Sequence, residues 1–168
     1  MTSRRPAILV SVVGVVAVAL YAAMAAVQIL VLNPLAAVPG RTLLEIRAGM
    51  SDAGERIDVG MVLGILAVGV VIALVVAGLM IAARTPAVAT AMPFLVVLVL
   101  GAPAYFFASF GPGMGLADAY GISGADYSPW AWPLYGVSVA AFVTFVVLAV
   151  MSARTAPRTG VALLPAQG

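Results

Sequence analysis

Four long apolar runs, at 7–32, 59–83, 87–110 and 130–151, contain no Asp, Glu, Lys, Arg or His, and this constrains the chain more than any other feature. As helices such runs extend roughly 33–39 Å, enough to cross a hydrocarbon core of about 30 Å. Lipid offers no hydrogen-bond partner to the backbone, so each run must satisfy its own N–H and C=O groups, and the helix does this within one segment. Composition agrees: the 168 residues are 64% hydrophobic and 8% charged, against about 25% charged in soluble domains. The fold class expected is an all-α integral membrane protein. It is a four-transmembrane-helix bundle with a short amphipathic helix in the first extracytoplasmic loop, forming a single membrane domain over residues 1–152.

The hydrophilic residues gather between these runs. Segment 33–58 is the first outer loop and holds four of the six acids, Glu45, Asp52, Glu55 and Asp58, with Arg41, Arg47 and Arg56. Asn33-Pro34 and Pro39-Gly40 are stop and turn signals. Thr42-Leu43-Leu44-Glu45 then fits a capping box, opening a helix from about Leu43 to Met50. On it Leu43, Leu44, Ile46 and Met50 share one arc with Arg47, while Glu45 lies opposite. Leu43, Glu45, Ile46, Arg47 and Met50 are the candidate partner surface. Ser51 and Asp52, with Glu55, fit a second capping box, which would place Asp52, Glu55 and Asp58 in the first turns of the second span. Their spacing also allows a divalent cation, but capping with solvated charge explains it more simply.

In the second span Gly60, Gly64, Gly69, Ala73 and Ala77 form a small-residue series, the candidate helix-packing face. Bulk at Gly64 should therefore disturb packing more than bulk at Val62. The third span carries Pro103, where a lost backbone hydrogen bond predicts a kink. The second outer loop, 111–129, has five glycines. Tyr127, Trp130, Trp132 and Tyr135 then form a candidate interfacial belt at the membrane–water boundary. The tail 153–168 is expected to be disordered. The first run follows Arg4 and Arg5, and Ala23-Met24-Ala25 has the form of a signal-peptide cleavage site. The run continues well beyond a signal h-region of about 7–15 residues, so an uncleaved span is expected.

An even number of spans places both termini on one side, with Arg4, Arg5, Arg84, Arg154 and Arg158 facing them and Arg41, Arg47 and Arg56 opposite. This arginine bias directs the termini to the cytoplasm. The absence of lysine, with arginine, alanine, valine and glycine abundant, suits a GC-rich bacterial genome and hence the bacterial plasma membrane.

Several chemistries are excluded. No cysteine or histidine is present, so no disulfide, thiol catalysis or histidine-held metal is available. The Gly121-Ile122-Ser123-Gly124 motif matches the one around the nucleophile of rhomboid-type intramembrane proteases, but the serine lacks a histidine base. The arginines are too scattered for nucleic acid. The spans offer only Ser11, Tyr21, Gln28, Thr90, Tyr105, Ser109, Ser138 and Thr144 as polar groups, which suits interhelical hydrogen bonds better than proton or ion work. The expectation is a non-enzymatic accessory, assembly or interaction subunit, without cofactor or metal, whose partners are the bilayer and a membrane protein or second copy. The alternative is a passive small-molecule or lipid conduit through the bundle.

Overall fold

The structure, a computed structural model, describes residues 4–155. Residues 156–168 of the expected disordered tail lie outside the described residues, whereas 153–155 finish the last helix. The elements are α1 (Arg4–Val27), a π-helical turn (Gln28–Leu32), α2 (Asn33–Ala37), α3 (Leu43–Asp52), α4 (Val59–Ala82), α5 (Ala87–Val99), α6 (Gly101–Tyr120) and α7 (Ala131–Thr155). Four helical stretches are long and apolar enough to cross a membrane: Arg5–Ala37, Val59–Ala82, Ala87–Tyr120 and Ala131–Thr155, of 33, 24, 34 and 25 residues. Their outward faces are aliphatic, with Leu9, Leu20, Val71 and Leu79 more than half exposed. That pattern suits lipid as the surrounding solvent.

The first and third stretches exceed the other two by about nine residues, or roughly 14 Å of helix. The excess projects at the end away from the termini and builds the loop-bearing end of the molecule. Helix α1 packs chiefly on α4 and α5, α5 on α7, and α4 on α6. At mid-bundle Tyr21, Ile29, Val62, Leu66, Tyr105 and Leu134 form one core, and Val18, Ala73 and Phe94 form another nearer the termini. Two glycines permit close helix approach: a Cβ at Gly14 would run into the Phe94 ring, and one at Gly101 would meet the Tyr21 ring at 2.7 Å.

Several boundaries differ from those expected. Asn33-Pro34 does not stop the first helix. Pro34 has no N–H to offer Leu30, and the ladder shifts to a π pattern in which the Asn33 N–H reaches the Gln28 carbonyl. The helix therefore runs on to Ala37, with Asn33 and Pro34 buried. The third span breaks at Leu100, three residues before Pro103, and resumes as α6. It then continues ten residues past the expected end, through Gly111-Pro112-Gly113, before Gly121 closes it in the left-handed conformation at φ 63°. Packing overrides the poor helix propensity here. A Cβ at Gly113 would meet the Gly124 carbonyl oxygen at 3.2 Å, and one at Gly115 would meet the Met50 methyl at 3.1 Å.

The second capping box does not form. Ser51 and Asp52 belong to the last turn of α3, residues 53–58 are non-helical, and Asp58 alone caps α4 through a 2.9 Å bond from the Met61 N–H. Nor do the small residues of α4 share a face. Gly60 and Gly64 are exposed, with nothing within 4 Å of a Cβ at Gly64, whereas Ala73 is fully buried and Gly69 and Ala77 half-buried. The step from Gly64 to Gly69 is five residues, about 140° around the helix at 3.6 residues per turn, so the series splits into an outward and an inward pair of turns. The buried face is Val62, Leu66 and Ala73. Added bulk would thus meet open space at Gly64 and the packed core at Val62, so the structure points the expected sensitivity the other way.

Candidate functional site

The polar chemistry of the bundle converges at its loop-bearing end. The segment between α6 and α7, residues 121–130, folds back over the π-helical turn and the start of α2 and is pinned there by two amide side chains. Asn33 Oδ1 accepts the Tyr127 N–H at 2.7 Å and the Ser128 N–H at 3.3 Å. Gln28 Nε2 donates to the Ser128 carbonyl at 3.4 Å. Gln28 is fully buried and its Oε1 has no partner. The π-helical turn carries Gln28 and leads into Asn33, so the local irregularity forced by Pro34 also orients both anchors.

This pinning places Asp126 over the bundle core. Tyr105, fully buried on α6, donates its hydroxyl to Asp126 Oδ1 at 2.6 Å. Tyr135 on α7 donates to Oδ2 at 3.2 Å. The two rings meet edge to face, 5.6 Å between centroids at 87°, a favoured aromatic geometry. Beside Asp126 lies a cavity of about 270 Å³, lined by Asn33, Phe106, Ser109, Phe110, Met114 and Tyr135 and floored by Gly113 and Gly124. A larger groove of about 470 Å³ runs between α4 and α5 as far as the start of α6, and its lining residues, from Ile65 to Ala104, are all apolar.

The expected partner surface divides in two. Helix α3 begins at a complete capping box: Thr42 Oγ1 accepts the Glu45 N–H at 3.3 Å, and Glu45 Oε2 accepts the Thr42 N–H at 2.7 Å. These bonds, with Arg41 nearby, hold the Glu45 carboxyl below the usual range. Ile46 and Met50 are buried against Leu116 of α6, and the Tyr120 hydroxyl donates to the Ile46 carbonyl at 2.9 Å. They fasten α3 to the bundle and cannot also face a partner. Leu43 is half-buried, while Leu44, Glu45 and Arg47 are exposed, Leu44 by 80%. Leu44 falls outside the buried arc because, two residues from Ile46, it stands about 160° around the helix from it.

Of the belt residues, Tyr127, Trp130 and Trp132 are exposed, and Tyr135 is half-buried under Asp126. The Ser123 hydroxyl lies 2.9 Å from the Tyr127 hydroxyl. Asp52, Glu55 and Asp58 are spread over a helix end, a non-helical link and a cap. Among the described residues no group of three His, Cys, Asp or Glu side chains is placed to hold a metal ion. Tyr105 and Gln28 were visible in the sequence as polar groups within spans. Asp126, Asn33 and Ser128 were not visible as site residues, because nothing local connects them: their sequence separations from their partners run from 9 to 100 residues.

Of the remaining in-span polar groups, Ser11 is buried with its hydroxyl unpartnered, and the others serve the helices. Ser138 donates to the Leu98 carbonyl at 2.8 Å, Thr90 Oγ1 to the Pro86 carbonyl at 3.0 Å, and Thr144 to the Ala140 carbonyl at 2.8 Å. The cleft beside Tyr21 has a volume of only about 40 Å³. Comparison with known family models, curated proteins and solved structures finds no match to this chain.

Proposed function

We propose that this chain is a non-enzymatic, multi-pass protein of the bacterial plasma membrane, an accessory, assembly or interaction subunit with both termini cytoplasmic. In this reading α3 and the 121–130 segment face the extracytoplasmic side and are presented to a membrane-protein partner or a second copy. The observation that carries it is the filled interior: Tyr21, Gln28 and Tyr105 are buried in the bundle, and the Ser138, Thr90 and Thr144 hydroxyls bond to helix carbonyls, while Ser11 Oγ and Gln28 Oε1 are buried without a partner. A conduit needs a hydrated path, and side chains that would line it are instead consumed in packing. The exposed row of Leu44, Glu45 and Arg47 on α3 supplies a surface for contact. The second reading, a passive lipid-handling conduit, draws on the apolar groove between α4 and α5, whose form and lining suit an acyl chain.

The test is affinity purification in mild detergent after in-cell crosslinking, with the wild type beside a Leu44→Glu/Arg47→Glu variant. A stoichiometric partner, or a homodimer, retained by the wild type and lost by the variant is the expected result. A lone monomer that accelerates lipid movement across reconstituted vesicles would instead establish the conduit.

A further inference from the structure

The geometry points to a binding site for an organic ammonium group on Asp126, in the cavity between α6 and the 121–130 segment. Three observations converge there. First, Asp126 is an exposed carboxylate with no basic partner: both bonds it receives come from tyrosine hydroxyls, and no arginine lines the cavity. A carboxylate oxygen offers two acceptor positions, so the two bonds hold Asp126 in place while leaving lone pairs toward the cavity. Second, the walls are aromatic and polarisable. Phe106, Phe110 and Tyr135 present rings, with Phe106 and Phe110 packed 5.9 Å apart, and Met114 adds a thioether. Rings of this kind attract cations through their quadrupole, and most strongly those with little hydration to lose, such as methylated ammonium groups.

Third, the Asn33 and Ser109 side-chain oxygens in the lining are engaged. Asn33 Oδ1 holds the Tyr127 and Ser128 N–H groups, and the Ser109 hydroxyl donates to the Phe106 carbonyl at 3.1 Å. A hard metal ion needs six or more oxygens and finds one carboxylate here, whereas an ammonium needs one counter-charge and a set of π faces. The volume of about 270 Å³ lies just below the range of drug-sized pockets and suits a headgroup-sized ligand. Phe106 and Phe110 are both more than half exposed, so an alkyl chain attached to the ammonium has an apolar surface to follow out of the cavity. The ligand class is therefore a free amphiphilic ammonium or the headgroup of a choline-type lipid.

The experiment titrates the full chain, in an uncharged maltoside detergent, with choline and with hexyltrimethylammonium. Calorimetry and tryptophan fluorescence report binding, the latter because Trp132 packs 6.5 Å from the Tyr135 ring. Saturable binding is expected, tighter for the hexyl compound. Asp126→Asn keeps a carbonyl oxygen for the Tyr105 hydroxyl, removes the charge and should weaken binding about tenfold, on the scale of a charge-assisted contact. Phe110→Leu, at an exposed position, should weaken it about threefold, on the scale of one cation–π contact. The neutral isostere 3,3-dimethylbutan-1-ol should bind at least tenfold more weakly than choline. Repeating the titration in nanodiscs separates the sources. Displacement of hexyltrimethylammonium by phosphatidylcholine but not phosphatidylglycerol identifies a lipid headgroup, and equal binding in both identifies a free ammonium. Equal affinity for the neutral isostere, unchanged affinity in both variants, or no saturable binding would overturn the proposal.

Discussion

Truncating Ile46 to alanine should release α3 from the bundle without unfolding the bundle. Helix α3 has ten residues, too few to hold itself together in water, so its order rests on docking. Two of its side chains are buried at 1% exposure or less, Ile46 and Met50, each contributing about 1.5–3 kcal/mol. The Tyr120–Ile46 hydrogen bond adds about 1 kcal/mol. Removing the Ile46 side chain costs about 2–4 kcal/mol, a large part of that total. At 1.4 kcal/mol per factor of ten, the undocked population should rise about 30- to 700-fold. The chain has no cysteine, so Leu116→Cys places a single reporter beneath α3, at a position that is 2% exposed. Where docking and undocking are fast relative to modification, the labelling rate by a membrane-impermeant thiol reagent follows the open population. The rate in Leu116→Cys/Ile46→Ala should exceed that in Leu116→Cys alone by one to three orders of magnitude. Leu44→Ala, which removes an 80%-exposed side chain, should leave the rate unchanged. Equal rates in the Ile46→Ala and Leu44→Ala backgrounds would refute the docking argument.

Val62→Leu overfills a position that is 1% exposed and should lower stability in detergent by about 1–3 kcal/mol; Gly64→Leu, with open space around it, should be close to neutral, and thermal unfolding distinguishes the two. Asn33→Leu leaves the Tyr127 and Ser128 N–H groups without their acceptor, at about 1–3 kcal/mol, and should make the 121–130 segment open to protease while α4 and α5 stay protected. The folded Glu45 carboxyl is held below the usual range, so its contribution is present above the unfolded value and lost as pH falls through the folded one; labelling of the Leu116→Cys reporter, normalised to that of a fully exposed cysteine at each pH, should therefore rise on acidification below the ordinary carboxylate range, and not in a Glu45→Gln background. A reporter active only in the cytoplasm should signal when fused after Ser152 and stay silent at Gly54, and the opposite pattern would invert the proposed threading.

Much of the architecture is legible in the residues because lipid and helix ends impose local rules. Any run of about twenty apolar residues must be helical to satisfy its backbone, so the four spans follow from composition along the chain. Thr42 and Glu45 are three residues apart and meet across one helical turn, which is why the capping box could be read directly. What tertiary structure decided is whatever depends on the far side of a contact. The glycine-rich stretch after Phe110 has poor intrinsic helix propensity. It is helical because Gly113 and Gly115 allow Gly124, Met50 and Glu55 to approach it, and none of those neighbours is local. Asn33-Pro34 has the form of a stop signal, yet a π turn absorbs the missing N–H and carries Asn33 under the 121–130 segment. The small residues of α4 have a recognisable spacing, but which side of the helix is covered depends on where α1 and α6 lie. The Asp126 cluster was the least legible part, since Tyr105, Asp126 and Tyr135 sit on three separate elements. A hydrogen bond of 2.6 Å between residues 21 positions apart exists only once the bundle has brought those elements together.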